Sequence, residues 1–252
     1  KQQFGTAIEY FGQVLEIAEE QEDKQEESVA LLGIADSYRL NNQFEAATEY
    51  FGRVLEIAKK QRNRQLEAQA LLGFATSYHS KEQFETAREY FGQALEIAKE
   101  QGDKQQEAQV LRGLANCYHS KQQFGTAIEY FGQVLEIAKE QQDKQEESVA
   151  LLGIADSYRL SNQFEAATEY FGRVLEIAKE KGNKQLEVQV LLGLATSYHS
   201  KKQFETAIEY FAQVLEIAKE QQDKQEESVA LLGMADSYRL NKQLETAIEY
   251  FG

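Results

Sequence analysis

Apolar residues recur along this chain at spacings of three, four and one, and polar residues fill the positions between them. Between residues 44 and 60 the apolar positions are Phe44, Ala47, Phe51, Val54, Leu55 and Ala58. This spacing places them on one face of an α-helix. The segment before it repeats the pattern with Leu31, Ile34, Ala35 and Tyr38. Short polar breaks such as Asn41-Asn42 separate the segments, which predicts an all-α protein of antiparallel helix pairs.

The two-helix unit recurs with a period of 40 residues. The phrase QFGTAIEYFGQVLEIA at residues 3–18 returns in close variants from residues 43, 83, 123, 163 and 203, and a shortened copy begins at Gln243. Such a period is typical of a solenoid, in which each unit stacks on its neighbours. We therefore interpret residues 1–252 as one solenoid of about six repeats. It begins on the second helix of a unit and ends in a truncated helix.

A second period of 120 residues lies on top of the first. Residues 1–120 and 121–240 differ at about 25 aligned positions, as expected of an array enlarged by duplication of whole blocks. Recent duplication and deliberate construction from repeated modules both explain the pattern.

The turns and the glycines lead to three local expectations. N-caps of the first helices are expected at Asp23, Asn63, Asp103, Asp143, Asn183 and Asp223. Gly102 and Gly182 are placed to end helices in the left-handed conformation. Glycines inside helices cost about 1 kcal/mol each, so their repetition predicts close helix approaches, unless copying merely propagated them. These glycines are Gly12, Gly52, Gly92, Gly132 and Gly172 in second helices, and Gly33 with its five equivalents in first helices.

Composition narrows the class of function. Proline is absent and the net charge is −15, which argues against a nucleic-acid groove because such a groove needs a basic stripe. The basic cluster of Lys59, Lys60, Arg62 and Arg64 is expected to be a solvated turn. Cys117 is the single cysteine, so we expect no intrachain disulfide and a reducing, cytoplasmic location. No segment is apolar enough to span a membrane. The chain lacks a starting methionine, which suggests a fragment or a processed chain.

The units resemble tetratricopeptide repeats of the 40-residue variety, similar to those of kinesin light chains and bacterial signalling proteins. The residues that carry the resemblance in one unit are Leu31, Ile34, Ala35 and Tyr38, followed by Ala47, Phe51 and Val54. The chain departs from the family pattern at Ala35, where glycine is common, and in lacking the proline that often ends the second helix. The resemblance implies a right-handed superhelical solenoid whose first helices line a concave surface.

First-helix positions outside the packing face then become the candidate groove. In one unit they are Val29, Leu32, Asp36, Arg39 and Leu40, at helical spacing on one side. They present leucines beside hydrogen-bonding and charged groups, which suits a peptide or an amphipathic helix. The predicted partner-binding residues are Gln69, Leu72, Thr76, His79, Gln109, Arg112, Asn116, His119, Val149, Leu152, Asp156, Arg159, Gln189, Thr196 and His199.

Several of these residues have an alternative interpretation. Arg112 replaces a leucine and could select a carboxylate. Asn116 could hold a peptide backbone or be inert surface. Asp36 and Arg39 could simply neutralise each other. The histidines lie on separate helices, too far apart to share a metal ion. Cys117 and His119 point to different faces, and no glycine-rich phosphate loop is present, so we expect neither an enzyme nor a cofactor.

The leading hypothesis is a scaffold or adaptor that holds a peptide or protein partner in the groove. The alternative is a structural unit that stacks end to end as a homo-oligomer. It is motivated by terminal segments that keep the core pattern, at Leu244, Ile248 and Phe251, where solenoids usually have polar caps. A regulatory domain that senses a short peptide is a third hypothesis.

Overall fold

The computed structural model describes the backbone of residues 2–251 and the side chains of residues 4–242. Within that part of the chain it contains twelve α-helices and no β-strand. The helices are α1 (Gln2–Glu20), α2 (Lys24–Leu40), α3 (Phe44–Gln61), α4 (Arg64–Ser80), α5 (Phe84–Gln101), α6 (Lys104–Ser120), α7 (Phe124–Glu140), α8 (Lys144–Leu160), α9 (Phe164–Glu180), α10 (Lys184–Ser200), α11 (Phe204–Gln221) and α12 (Lys224–Phe251). The even-numbered helices are the first helices of the repeats. The all-α fold of paired helices is confirmed.

The helices form two compact units. Unit 1 extends to residue 122 and contains α1 to α6, and unit 2 begins at residue 123 and contains α7 to α12. This division lies within two residues of the boundary between the predicted 120-residue blocks. Inside each unit, every helix packs against the next one in sequence. Among the described residues, no helix is long and apolar enough to cross a membrane.

The core of a unit lies between successive helices. Leu31 of α2 is fully buried and packs with Val54 of α3 and Leu66 of α4. A second cluster in unit 1 contains Ala35, Ala47, Phe51 and Phe74. The equivalent cluster in unit 2 contains Leu191, Val214 and Ile217. The residues that carry the family resemblance are therefore the residues that join one repeat to the next.

The first helices begin at the expected caps. The Asp23 carboxylate accepts from the backbone amides of Gln25 and Glu26, at 2.9 and 3.1 Å. At each of the other five first helices, an aspartate or asparagine side chain accepts from one or two backbone amides of the first turn. This satisfies amides that a helix start leaves unpaired.

Left-handed residues end the helices, and most of them are not glycine. Gly102 and Gly182 adopt φ of 66° and 62°, as predicted. The other turns use residues with a Cβ in the same conformation: Glu22, Asn42, Arg62, Glu82, Gln122, Gln142, Asn162, Lys202 and Gln222. The amide that follows the left-handed residue bonds back to the helix, as Asn63 does to the Ala58 carbonyl at 2.9 Å. The turn geometry is thus common to the repeats, although only Gly102 and Gly182 allow it to be predicted from the sequence.

The two sets of helix glycines behave differently. A Cβ added at Gly33 would lie 2.5 Å from the Phe11 ring, and its five equivalents likewise face the phenylalanine of the preceding second helix. The close approach predicted for this set is confirmed. The prediction for the second-helix set was wrong. A Cβ at Gly12, Gly92, Gly132 or Gly172 would meet nothing within 4 Å, and at Gly52 it would make only an ordinary contact. Ala212 at the equivalent position agrees with this open space.

The last helix differs from the repeat pattern. The repeat places a turn near residue 242, yet α12 continues from Lys224 to Phe251. Residues 241–243 contain neither proline nor glycine that would stop a helix. The predicted end pattern at Leu244, Ile248 and Phe251 lies outside the residues whose side chains are described.

Candidate functional site

The first helices form the inner layer of each unit. In unit 1, α4 lies close to both α2 and α6, and in unit 2, α10 lies close to both α8 and α12. Within the described residues of either unit, the second helices do not approach one another this closely. Elements on the inside of a curved stack are nearer to one another than those on the outside. The first helices therefore line the concave side of each unit, as the resemblance implied.

Unit 1 carries a pocket on this inner layer. It is a cavity of about 420 Å³, within the size range of ligand sites. We call it the unit 1 pocket. Its lining residues are Leu32, Asp36, Arg39, Phe51, Gln69, Leu72, Gly73, Thr76, Gln106 and Gln109.

Unit 2 carries a similar pocket of about 480 Å³. We call it the unit 2 pocket. Its lining residues are Asp156, Arg159, Gln185, Val188, Gln189, Leu192, Gly193, Thr196, Ala218, Gln221, Asp223 and Glu226. Each pocket thus combines an apolar floor with amide, hydroxyl and charged groups.

The two pockets share one wall and differ in the other. The shared wall consists of six residues that recur 120 positions apart. These are Asp36, Arg39, Gln69, Leu72, Gly73 and Thr76 in unit 1, and Asp156, Arg159, Gln189, Leu192, Gly193 and Thr196 in unit 2. The variable wall lies on the third first-helix of each unit. It contains Gln106 and Gln109 on α6, and Glu226 with the capping Asp223 at the start of α12.

Charges on the shared wall are already paired. The Arg39 Nε donates to Asp36 Oδ1 at 3.0 Å, and Arg159 makes the same contact with Asp156. This agrees with the alternative interpretation that these residues neutralise each other. Thr76 Oγ1 donates to the Leu72 carbonyl at 3.0 Å, so the hydroxyl faces its own helix. The leucine and glutamine side chains are consequently the groups of this wall that remain for a ligand.

The predicted residues divide between the pockets and the surface beside them. Those that line a pocket are Gln69, Leu72, Thr76, Gln109, Asp156, Arg159, Gln189 and Thr196. Those that do not are His79, Arg112, Asn116, His119, Val149, Leu152 and His199. Gln106 and Glu226 line the pockets although neither was among the predicted residues. Gln106 lies three residues before Gln109 on the same helix face, so reading one turn further towards the helix start would have found it.

Two of the predicted histidines, His79 and His199, pack against a phenylalanine ring. His79 packs its ring edge against Phe84, with centroids 5.4 Å apart, and His199 packs in the same way against Phe204. Burial lowers the pKa of His79, and a backbone contact at Asn116 partly opposes this. His199 Nε2 lies 3.2 Å from Asp236 Oδ2. In the described part of the chain, no three histidine, cysteine or acidic side chains are grouped so that they could hold a metal ion.

Three further predicted features lie away from the pockets. Cys117 is fully buried, and burial raises the pKa of its thiol to about 12, so the nucleophilic thiolate is suppressed. Arg112 is half-buried and Asn116 is exposed on α6. In the basic cluster, the Arg64 guanidinium pairs with Glu67 and Glu100 at 2.8 and 2.6 Å. All four residues of the basic cluster are exposed, as expected of a solvated turn.

Comparison with known proteins bears on the fold. A family model described as Tetratricopeptide repeat matches residues 1–60, 66–140, 108–180 and 186–252. No curated protein has a sequence that matches the chain. Three solved structures illustrate the similarity, and at these sequence identities they bear on the fold alone.

The first of these structures is BtubC from P. vanneervenii. It is 18% identical with a TM-score of 0.78, and the match covers 87% of this chain and 92% of that one. The second is a signal transduction ATPase with numerous domains and a tetratricopeptide repeat sensor, from Pyrococcus horikoshii. It is 21% identical with a TM-score of 0.79, over 94% of this chain and 38% of that one. The third is a putative kinesin light chain with nearly identical repeats from Podosopora anserina. It is 21% identical with a TM-score of 0.67, over 77% of this chain and 95% of that one.

Proposed function

Because the chain belongs to the tetratricopeptide repeat family, we propose that it is a non-catalytic scaffold that binds a peptide or protein partner on its concave face. The observation that carries this proposal is the pair of pockets on the inner helices. Each pocket offers a leucine and several polar side chains within one concavity of ligand size. Predicted groove residues form most of the shared wall.

The chemistry of the pockets favours a polypeptide ligand. Glutamines such as Gln69 and Gln189 are exposed and carry both a donor and an acceptor, which matches the alternating groups of a peptide backbone. Half-buried Leu72 and Leu192 offer an apolar contact of the kind that anchors one side chain. Nucleic acid is disfavoured because the chain has a net charge of −15.

A regulatory use of the same surface is a variant of this proposal, and one of the structures with a similar fold is named for its repeat sensor. In that case the chain would report the presence of a bound segment to a further domain or partner. The binding step is the same as in the adaptor hypothesis.

Selection from a random library of 12-residue peptides tests the proposal. The wild-type chain is compared with the double variant Leu72→Arg, Leu192→Arg, which places a cation in both pockets. The repeat tolerates arginine at this position, since Arg112 occupies it in the third repeat of unit 1. We expect the wild type to enrich a family of related peptides and the double variant to lose their binding.

A control variant distinguishes the effect of blocking the pockets from the effect of adding two positive charges. Gln93→Arg, Gln213→Arg adds the same two charges to exposed positions of the second helices, where Arg53 and Arg173 already occur in other repeats. This variant should keep the selected peptides. Equal retention by the pocket variant and the control variant would refute the concave site.

Self-assembly has a specific observation in its favour. Val14 and Ile17 of α1 are 39% and 50% exposed, although the equivalent Val54 and Ile57 are buried. Leu231 of α12 is 48% exposed, whereas the equivalent Leu31 is buried. Exposed apolar surface of this kind favours association, either with a second copy of the chain or with further repeats of the same protein. Light scattering over a concentration series tests it: a mass that rises with concentration supports assembly, and a constant monomer mass contradicts it.

A further inference from the structure

The two pockets are copies of one site with a difference in one wall. Of the ten residues that line the unit 1 pocket, eight have the same residue 120 positions later, and only Gln106 and Gln109 are replaced, by Glu226 and Val229. The positions that change include the variable wall, where Gln106 corresponds to Glu226. The duplication therefore repeats the site and alters the group that faces the ligand from the third first-helix.

Both variable walls present an acceptor without a partner. Gln106 is only 9% exposed, and in the described part of the chain its Oε1 accepts no hydrogen bond. The Oε2 atom of Glu226 is likewise buried and accepts no hydrogen bond from any described residue. Buried polar atoms are nearly always paired, so these two oxygens call for a donor from outside the chain. The residue at this position therefore needs a hydrogen-bond donor in both pockets.

The two acceptors differ in charge. In the unit 1 pocket the only charged residues are Asp36 and Arg39, which pair with each other. The lining of the unit 2 pocket contains the equivalent ion pair of Asp156 and Arg159 and, in addition, Asp223 and Glu226. The lining of the unit 2 pocket thus has an excess of two negative charges. Asp223 has a counterpart in Asp103, which caps α6 and accepts from the Gln106 amide, so the negative charge that distinguishes the two sites is that of Glu226. A cationic donor gains from this charge, because opposite charges in a partly enclosed site attract more strongly than in water.

We propose that each chain binds two peptide segments of the same kind, one in each pocket, and that the segment in unit 2 places a lysine or arginine side chain on Glu226. In unit 1 the same position of the segment donates a neutral N–H to Gln106. This inference rests on the proposed peptide-binding function and adds its stoichiometry and its side-chain preference.

Calorimetry with the most enriched peptide from the random library measures the stoichiometry. Wild type should bind two peptides per chain. Leu72→Arg and Leu192→Arg, as single variants, should each bind one, and the remaining site shows that each variant is folded. One peptide per wild-type chain, lost in both single variants, would overturn the duplicate sites while leaving peptide binding intact. If the library yields no peptide that depends on the pockets, the proposed function itself fails.

A reciprocal exchange tests the side-chain preference. The probes are that peptide with lysine, and with glutamine, at the position that faces the variable wall, found by scanning lysine through the peptide. With only the unit 2 site open in Leu72→Arg, the lysine peptide should bind about tenfold more tightly, and adding Glu226→Gln should abolish the difference. With only the unit 1 site open in Leu192→Arg, Gln106→Glu should create it. A lysine preference unchanged by both exchanges would contradict the assignment.

Discussion

At the scale of the residue, the two sets of helix glycines show which repeated residues are needed for packing and which were only copied with the repeat. The set that includes Gly73 lies against the phenylalanine of the preceding helix, whereas Gly92 faces open space. The sequence predicted the first contact from repetition alone, and the same reasoning failed for the second set. Repetition in an array shows only that a residue was copied, because copying preserves neutral and necessary residues alike. Only the distance to the neighbouring ring distinguishes them.

Alanine at these two glycines should therefore have opposite effects. Gly73→Ala forces a methyl group into the Phe51 ring, and overpacking of this kind costs about 1–3 kcal/mol. Gly92→Ala removes a helix glycine without a clash and should stabilise by up to about 1 kcal/mol. Urea unfolding of both variants measures the two effects. Shifts of the midpoint in the same direction would show that the contact at Gly73 does not matter.

Cys117 makes stability depend on alkaline pH. The folded thiol has a pKa of about 12, whereas an unfolded cysteine titrates near ~8.5. The contribution of the buried neutral thiol is therefore complete below about pH 8.5 and is lost as the pH rises towards 12, by about 1.4 kcal/mol per pH unit.

Cys117→Ser is the matched control. Serine occupies this position in the other five first helices, where its hydroxyl donates to a carbonyl four residues earlier, as Ser37 does to Gly33 at 2.7 Å. Urea unfolding of wild type and variant between pH 7 and about pH 11 should show a steeper alkaline loss in the wild type. Parallel pH curves would contradict the burial argument.

At the scale of the element, the turns show which helix boundaries can be predicted from the sequence and which cannot. Helix starts were predictable because a capping side chain is visible in the sequence, as at Asp23. Most helix ends were not, because residues such as Arg62 and Glu82 adopt the left-handed conformation only under the constraint of the packed helices. The turn expected near residue 242 is absent from α12 for the same reason, because residues 241–243 contain no residue that would end a helix by itself.

Relief of this strain should stabilise the protein. Arg62→Gly places at φ 55° the residue that Gly102 already supplies in the next repeat. The left-handed penalty of about 1–2 kcal/mol is removed, and about half of it returns as the greater freedom of glycine in the unfolded chain. Thermal unfolding should show a modest gain for Arg62→Gly and a loss for Gly102→Arg. A gain in both variants would contradict the conformational argument.

At the scale of the whole molecule, the organising feature is the repetition of the sequence at 40 and at 120 residues. The 40-residue period predicted the all-α fold of paired helices, and the division into two units lies close to the junction of the two 120-residue blocks. The shared wall of the pockets was also accessible from the sequence, because its residues follow first-helix spacing. The variable wall was predicted only in part. Gln109 was among the predicted residues, whereas Gln106 and Glu226 were not, and the contact of three first helices brings them to the same cavity as Leu72 or Leu192.

The acidic character of the chain should appear in the salt dependence of binding. With only the unit 2 site open, affinity for the lysine peptide should fall as ionic strength rises, because its contact with the Glu226 carboxylate is screened. With only the unit 1 site open, affinity for the same peptide should change less. Calorimetry at two salt concentrations measures both. Equal salt sensitivity would place the lysine outside the unit 2 pocket.

Methyl resonances of leucine in a labelled chain provide the most direct measurement of where a partner binds. On titration with a selected peptide, the signals of Leu72 and Leu192 on the concave side should shift, and those of Leu55 and Leu175 on the second helices should stay in place. Shifts confined to the second helices, or to Leu231 on the last helix, would contradict a scaffold that holds its partner on the concave face.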